Sequence, residues 1–128
     1  ISDGDVTGVI SVVDPNSSVD IYLGIGGGPE GVLAASALDC IGGQMQTRLV
    51  LSDEEEINRA KKLGITDLKK KYNIEDMIKG DTIFCATGVT NGEMVNGIID
   101  KGDYFEASSF VLHKSQKLSK KVTNKLKK

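Results

Sequence analysis

Val19-Asp20-Ile21-Tyr22-Leu23-Gly24-Ile25-Gly26-Gly27-Gly28-Pro29-Glu30-Gly31 is the stretch whose reading decides the fold. Val19, Ile21, Leu23 and Ile25 alternate with Asp20, Tyr22 and Gly24, the period-two pattern of a strand, and the strand runs straight into three glycines. Pro29 suits the first turn of a helix, because it has no N–H to leave unpaired there. Leu33, Ser36, Ala37, Cys40 and Ile41 then form one small-to-apolar helical face before Gly42-Gly43 stops it. Small residues on that face imply close packing on a sheet.

Downstream, Met45 to Leu51 reads as a second strand, and Ser52-Asp53-Glu54-Glu55 as a capping box opening a helix through Ile57, Ala60 and Leu63 to Gly64. The unit is therefore read as β-α-β-α. Upstream, Val6, Val9, Ile10 and Val13 share one helical face, with Asp5 placed as N-cap and Pro15 beyond the end. Residues 65–81 are expected to hold one or two short helices around Leu68, Tyr72, Met77 and Ile78. Ile83-Phe84-Cys85-Ala86 is a continuous apolar run, expected of a central strand covered on both faces, and it enters the polar loop Thr87-Gly88-Val89-Thr90-Asn91-Gly92. Residues 94–99 and 104–113 read as further strands. Leu118, Val122 and Leu126 leave both a last helical turn and a frayed strand open. The expected class is α/β, a layered sheet with flanking helices, with a body over residues 1–112 and a lysine-rich tail over 113–128.

With 128 residues, 39% hydrophobic and 27% charged, the chain suffices for one packed domain. No apolar run approaches the roughly 18 residues that span a bilayer, and no charged-then-apolar leader opens the chain, so a membrane span and a signal peptide are not expected. A cut piece of a longer protein is expected instead. Cys40 and Cys85 stand in apolar contexts without a CxxC partner, which predicts buried free thiols rather than a disulfide or zinc site. The formal charge of −2 hides an asymmetry: seven of the 16 basic residues are lysines within 113–128, where there is no acid, leaving residues 1–112 at −9. An acidic body repels nucleic acid and suits metal-dependent chemistry.

A glycine loop between a strand's end and a helix's start presents backbone N–H groups to an anion. Gly26, Gly28 and Gly31 also fit the dinucleotide pattern GxGxxG, with Asp53 near the place of a ribose-binding acid. That alternative makes the chain a small Rossmann-like dinucleotide-binding module. Glu30 works against it, since a carboxylate beside a pyrophosphate is a like-charge contact. A hard cation removes the conflict by taking carboxylate and phosphate oxygens together. At this point Glu30 has two readings, as a metal ligand or as a carboxylate that complements the helix dipole by about 0.3–1 kcal/mol. Asp3-Gly4-Asp5 likewise reads either as acceptors for sugar hydroxyls or a cation, or as a solvated Asp3 beside a capping Asp5. A calcium-loop reading of residues 3–14 fails, because Thr7 occupies a ligand position and Asp14 the place of the final Glu. His113 has no nucleophile motif and is expected to be a strand-end residue. The three Tyr and three Phe form no basic-aromatic stripe for single-stranded nucleic acid.

Taken in order, Ser2-Asp3-Gly4-Asp5-Val6, Gly24 to Val32, Gly42-Gly43-Gln44-Met45-Gln46 and Ala86 to Gly92 closely resemble the C-terminal part of class II fructose-1,6-bisphosphatase, the GlpX type. The resemblance covers residues 2–112. It implies one half of a layered sugar-phosphatase sandwich of the lithium-sensitive superfamily. It also implies hydrolysis of the 1-phosphate of fructose 1,6-bisphosphate with Mn²⁺ or Mg²⁺, as in gluconeogenesis. By the same resemblance, Asp3, Gly4, Asp5 and Gly27 are substrate contacts and Glu30 is a metal ligand. The other acidic ligands and the Lys/Arg phosphate clamp belong to an N-terminal portion outside this chain, so the chain alone is expected to be inactive. The implied partners are the sugar bisphosphate, the missing N-terminal domain and further copies in a homo-oligomer, with no nucleic acid or membrane, in the cytoplasm.

Overall fold

A computed structural model describes residues 5–128. Two helices form the layer on which the rest is built. α1 (Asp5–Ser11) leads through turns and a segment without regular structure into α2 (Gly28–Ile41), which starts after the extended Gly27 and ends at Gly42 in the left-handed region, φ 78°. Ala34, Ala35, Ala37 and Leu38 of α2 are buried, so the run of small residues does bring neighbouring elements close. On one side Ala37 joins Ile10, Phe84 and Leu112; on the other, Ala35 and Leu38 join Ile74. Leu38 and Leu112 are fully enclosed.

After α2 the chain forms β1 (Gln46–Arg48), α3 (Glu54–Lys62), β2 (Lys71–Asn73) and α4 (Ile74–Met77). α3 begins as expected, shifted by one residue. Asp53 caps it by accepting from Glu56 N at 2.8 Å, and Glu56 Oε2 in turn accepts from Ser52 N at 2.7 Å. Two expectations fail here. The second strand is three residues long, and it pairs antiparallel with β2 rather than beside residues 19–25. Within the region read as helical, residues 71–73 are instead β2, whose Tyr72 is opposite Thr47 across the pair, and the short helix expected there is α4.

The larger sheet is antiparallel and centred on β5 (Tyr104–His113). β3 (Ile83–Thr87) and β4 (Ile99–Asp100) lie end to end along one edge of β5, and β6 (Leu118–Lys127) runs along the whole of the other. The register places Phe84 opposite Leu112, and that inner face packs under α1 and α2. The opposite face carries Ile83 and Cys85 towards one end and Phe105 and Leu126 at the other, all four exposed. β3 is therefore not the doubly covered central strand that its composition predicts, and Cys85 is not buried; Cys40 is half-buried. The lysine-rich stretch is a full strand whose side chains meet β5 residue for residue, Lys125 opposite Glu106 among them.

Beyond β3 the chain turns back so tightly that a Cβ on Gly88 would sit 2.1 Å from Asn96 O and 2.8 Å from Asn96 C. These are backbone atoms, which cannot swing aside as a side-chain end does. Gly88→Ala is accordingly expected to cost about 1–3 kcal/mol, in the range of overpacked sites. A urea midpoint equal to that of the parent chain would mean the loop opens freely.

The far end of the sheet is tied by Asp81. Its carboxylate accepts from Ser115 Oγ at 2.7 Å, Ser115 N at 3.0 Å and Thr82 N at 3.0 Å, and pairs with His113 Nε2 at 2.8 Å. Ser115 and His113 hold the carboxyl well below the usual carboxylate range. A depressed native pKa adds stability above the unfolded value, about 3.9, and that stability disappears as pH falls through the native value. Asp81→Asn should therefore lower the denaturation midpoint at pH 7, and its deficit should shrink steadily below pH ~4. Parallel midpoint-against-pH curves for the two proteins would show that the carboxylate's charge plays no part. His113 does end β5, as its position predicts. Its Nε2 meets both Asp81 and Ser115 Oγ, so the ring does not relay a proton between them as a catalytic triad requires.

Candidate functional site

The glycine loop forms one wall of a small cleft of about 150 Å³. Gly27 is extended (φ −67°, ψ 153°) and accepts from Gly31 N at 3.0 Å, which starts the helical turn. The N-cap Gly27 has no side chain with which to cap α2, and Pro29 has no N–H. The first-turn N–H groups of Gly28 and Glu30 precede the first intrahelical bond, and the positive end of the helix dipole lies there. Glu30 is exposed in the same turn and folds back over the loop. A Cβ built on Gly27 would lie 2.1 Å from Glu30 Oε2, so the absence of a side chain at Gly27 is what lets the carboxylate occupy this place. Gly27 and Glu30, both singled out by sequence, are thus in direct contact at the mouth of one cleft.

The opposite wall is Met45, Thr47 and Arg48, at and beside β1. Arg48 escaped the reading by motif. Among the described residues it is the one cation lining this cleft, and a guanidinium has the paired donor geometry that suits phosphate oxygens. Its signal was present, since a chain that crosses over from a glycine loop returns beside that loop on the next strand. No motif spacing marks the position.

A larger cleft of about 850 Å³ continues from the first, sharing Val9, Tyr22, Gly24, Met45 and Thr47 with it. One of its sides is residues 20–24, the other residues 44–47. The segment expected to be the first strand forms no strand, and no strand among the described residues pairs with it. Its apolar row faces solvent: Ile21 is 69% exposed, and Leu23 and Ile25 are 84% exposed. Full burial of such a side chain is worth about 1.5–3 kcal/mol, which this row leaves unrealised.

The remaining sequence candidates divide. Asp3 and Gly4 lie outside the described residues, and Asp5 is described only as the residue that opens α1. Gln44, Met45 and Gln46 line the larger cleft, which brings the third motif to the first two elements. The Ala86 to Gly92 loop lines neither cleft. Its Asn91 instead accepts from Gly97 N at 2.9 Å and shapes its own turn. Asp53 is the cap of α3 and lines neither cleft, so the dinucleotide reading loses its ribose-binding acid. Among the described residues, no three His, Cys, Asp or Glu side chains gather to hold a metal. Glu30 offers one hard oxygen donor, which fits a divalent cation as a single ligand and does not make a site alone. No helix among the described residues is long and apolar enough to cross a membrane.

A family model described as bacterial fructose-1,6-bisphosphatase, glpX-encoded, matches residues 1–126. The fructose-1,6-bisphosphatase class 2 of Haemophilus influenzae is 37% identical over 136 aligned residues, covering 95% of this chain and 40% of the relative. Two proteins named D-fructose 1,6-bisphosphatase class 2/sedoheptulose 1,7-bisphosphatase are also similar. That of Trichodesmium erythraeum is 36% identical and that of Microcystis aeruginosa 34%, each over 77% of this chain and 32% of its own length. The chain thus spans 32–40% of the length of these relatives. The match runs through β6, beyond the residue 112 at which the motif resemblance ends.

Proposed function

This chain belongs to the family of glpX-encoded bacterial fructose-1,6-bisphosphatases, and from that premise we propose that it forms the glycine-loop part of a class 2 fructose-1,6-bisphosphatase active in the cytoplasm. In the reaction, water attacks the phosphorus of the 1-phosphate and the bond to the sugar oxygen breaks, giving inorganic phosphate and fructose 6-phosphate. The family match over residues 1–126 carries this reading.

Within it, the loop N–H groups and Gly27 contact the sugar phosphate, and Asp3, Gly4 and Asp5 accept from its hydroxyls. Support for the first part comes from the uncapped start of α2 and from Arg48 across the same cleft. Glu30 holds a divalent cation, Mn²⁺ or Mg²⁺, and its exposed carboxylate over Gly27 supports that role. When bound, such a cation neutralises phosphoryl oxygens and lowers the pKa of attacking water. Glu30 is one donor of the several such a cation requires, so the other ligands and the main phosphate clamp come from polypeptide outside this chain. The complete enzyme is proposed to act as a homo-oligomer. Two of the relatives also carry the name sedoheptulose 1,7-bisphosphatase, and both sugars present a phosphate on carbon 1.

The test joins this chain to the rest of a family member. A polypeptide comprising the Haemophilus influenzae relative without its matched segment is mixed with the chain, and phosphate release from fructose 1,6-bisphosphate and sedoheptulose 1,7-bisphosphate is followed with Mn²⁺ present. Release from either sugar by the mixture is the expected result. A complex that forms and hydrolyses neither sugar would overturn the reading.

A further inference from the structure

We infer that the open face of the larger sheet is an internal interface of the whole enzyme, and that it is covered by an apolar layer, bearing a carboxylate opposite Lys120, from the part of family members lying outside the matched 32–40%. This rests on the reading of the chain as one part of such an enzyme. The register decides which side chains share that face. Phe84 and Leu112 pair on the face under α1 and α2, so Cys85, opposite Val111, and Phe105, opposite Leu126, stand on the other. On β6 the same alternation sends Leu118, Val122 and Leu126, all of its apolar residues, to the open face, and Ser119, Lys121, Thr123, Lys125 and Lys127 to the face where the helices lie. An antiparallel sheet with one wet face carries polar residues on that face and apolar ones inward. β6 does the reverse, which is the pattern of a strand whose open face is buried in the complete protein.

The open face is apolar along its length. Ile83 towards one end is 65% exposed and Leu126 at the other 54%, with the half-buried Val111 and Val122 between them. Its charges say what covers it. Asp81 at one end is taken by His113 at 2.8 Å, and Asp100 at the other by Lys128 at 2.7 Å. Lys120, opposite Val111 and flanked on its own face by Leu118 and Val122, has no carboxylate partner among the described residues. A lysine closed into an apolar layer needs an opposite charge, so the covering surface supplies a carboxylate there. A second copy of this chain laid face to face is a poor occupant, because it brings another unpaired Lys120 and no free carboxylate. The chain covers 32–40% of its relatives, so the larger part of each lies outside the match and is present in the same molecule.

The test uses a complete enzyme, made by putting this chain in place of the matched segment of the Haemophilus influenzae relative. Cys85, exposed on the open face, reports the cover. Its reaction with a maleimide, followed on the peptide that contains it by mass spectrometry, should be at least about tenfold slower in the hybrid than in the chain alone. Lys120 and Lys121 are neighbours on opposite faces of β6. In the hybrid, Lys120→Glu should lower the melting temperature by at least ~5 °C more than Lys121→Glu, whereas in the chain alone the two variants should melt together. Slow labelling without phosphate release from fructose 1,6-bisphosphate would uphold the interface while the functional reading fails. Phosphate release with Cys85 labelled as fast as in the chain alone would overturn the interface and leave the functional reading intact. Fast labelling in a hybrid without activity overturns the interface too, as does equal melting of the two variants in the hybrid. A chain that is dimeric by itself, with Cys85 slow to label until diluted, overturns it in favour of a second copy.

Discussion

The purified 128-residue chain is expected to fold and yet to release no measurable phosphate from fructose 1,6-bisphosphate, with Mn²⁺ or without it. Folding follows from two closed clusters, one around Leu112 and one around Leu38, which do not depend on the open cleft. Inactivity follows from donor arithmetic. A hard divalent cation takes about six oxygen ligands, whereas among the described residues Glu30 is the one carboxylate at the glycine-loop cleft and no three metal-ligating side chains gather anywhere. Phosphate-monoester hydrolysis is among the slowest uncatalysed reactions, with enzymatic accelerations up to ~10²¹-fold, so a wall holding one ligand and one guanidinium leaves the rate undetectable. Steady phosphate release by the chain alone, scaling with its concentration and abolished by chelator, would refute this and place a complete site within 128 residues.

How far the residues announced this arrangement depends on how local each decision is. α2 was legible because Gly27, Pro29 and Gly42 mark its ends within the segment itself. The contact between Gly27 and Glu30 was legible for the same reason, as three positions along a first turn bring them together whatever else the chain does. The outcome at residues 19–25 shows the opposite case. Their alternation is that of a strand, but pairing is a property of two segments, and no second segment is present among the described residues. Cys85 was misjudged through the same logic, because an apolar run signals burial on both faces only when something covers both, and here the outer face of β3 is open. β6 was ambiguous because its apolar residues Leu118, Val122 and Leu126 lie four apart, a spacing that serves a helix face and every second position on one strand face alike; the ten-residue register with β5 decides it. Lysines along this edge strand also discourage pairing with other chains. Arg48 and the cleft it shares with the glycine loop depend on the return of the chain after α2, which no local pattern states.

Glu30→Gln in the complete enzyme is the change with the largest expected consequence for a single side chain. It keeps shape and helix propensity nearly constant and removes the charge. The two readings of Glu30 then separate cleanly. As a dipole complement, the exposed carboxylate contributes about 0.3–1 kcal/mol to stability and nothing to turnover, so the variant should melt slightly earlier and remain fully active. As a metal ligand, it supplies one of the few hard donors holding the cation, and losing it should lower turnover by at least ~10²-fold while the melting temperature without metal barely moves. The place of Glu30 favours the second outcome. Its carboxylate lies over Gly27 at the mouth of a cleft that Arg48 also lines, and on the proposed reading a negative charge there without a cation would repel a phosphate group entering it. Because the defect is in metal affinity, raising Mn²⁺ should shift binding by mass action and restore part of the activity, moving the activation midpoint to higher Mn²⁺. Identical Mn²⁺ activation curves for the two proteins, with equal maximal rates, would assign Glu30 to the helix dipole alone.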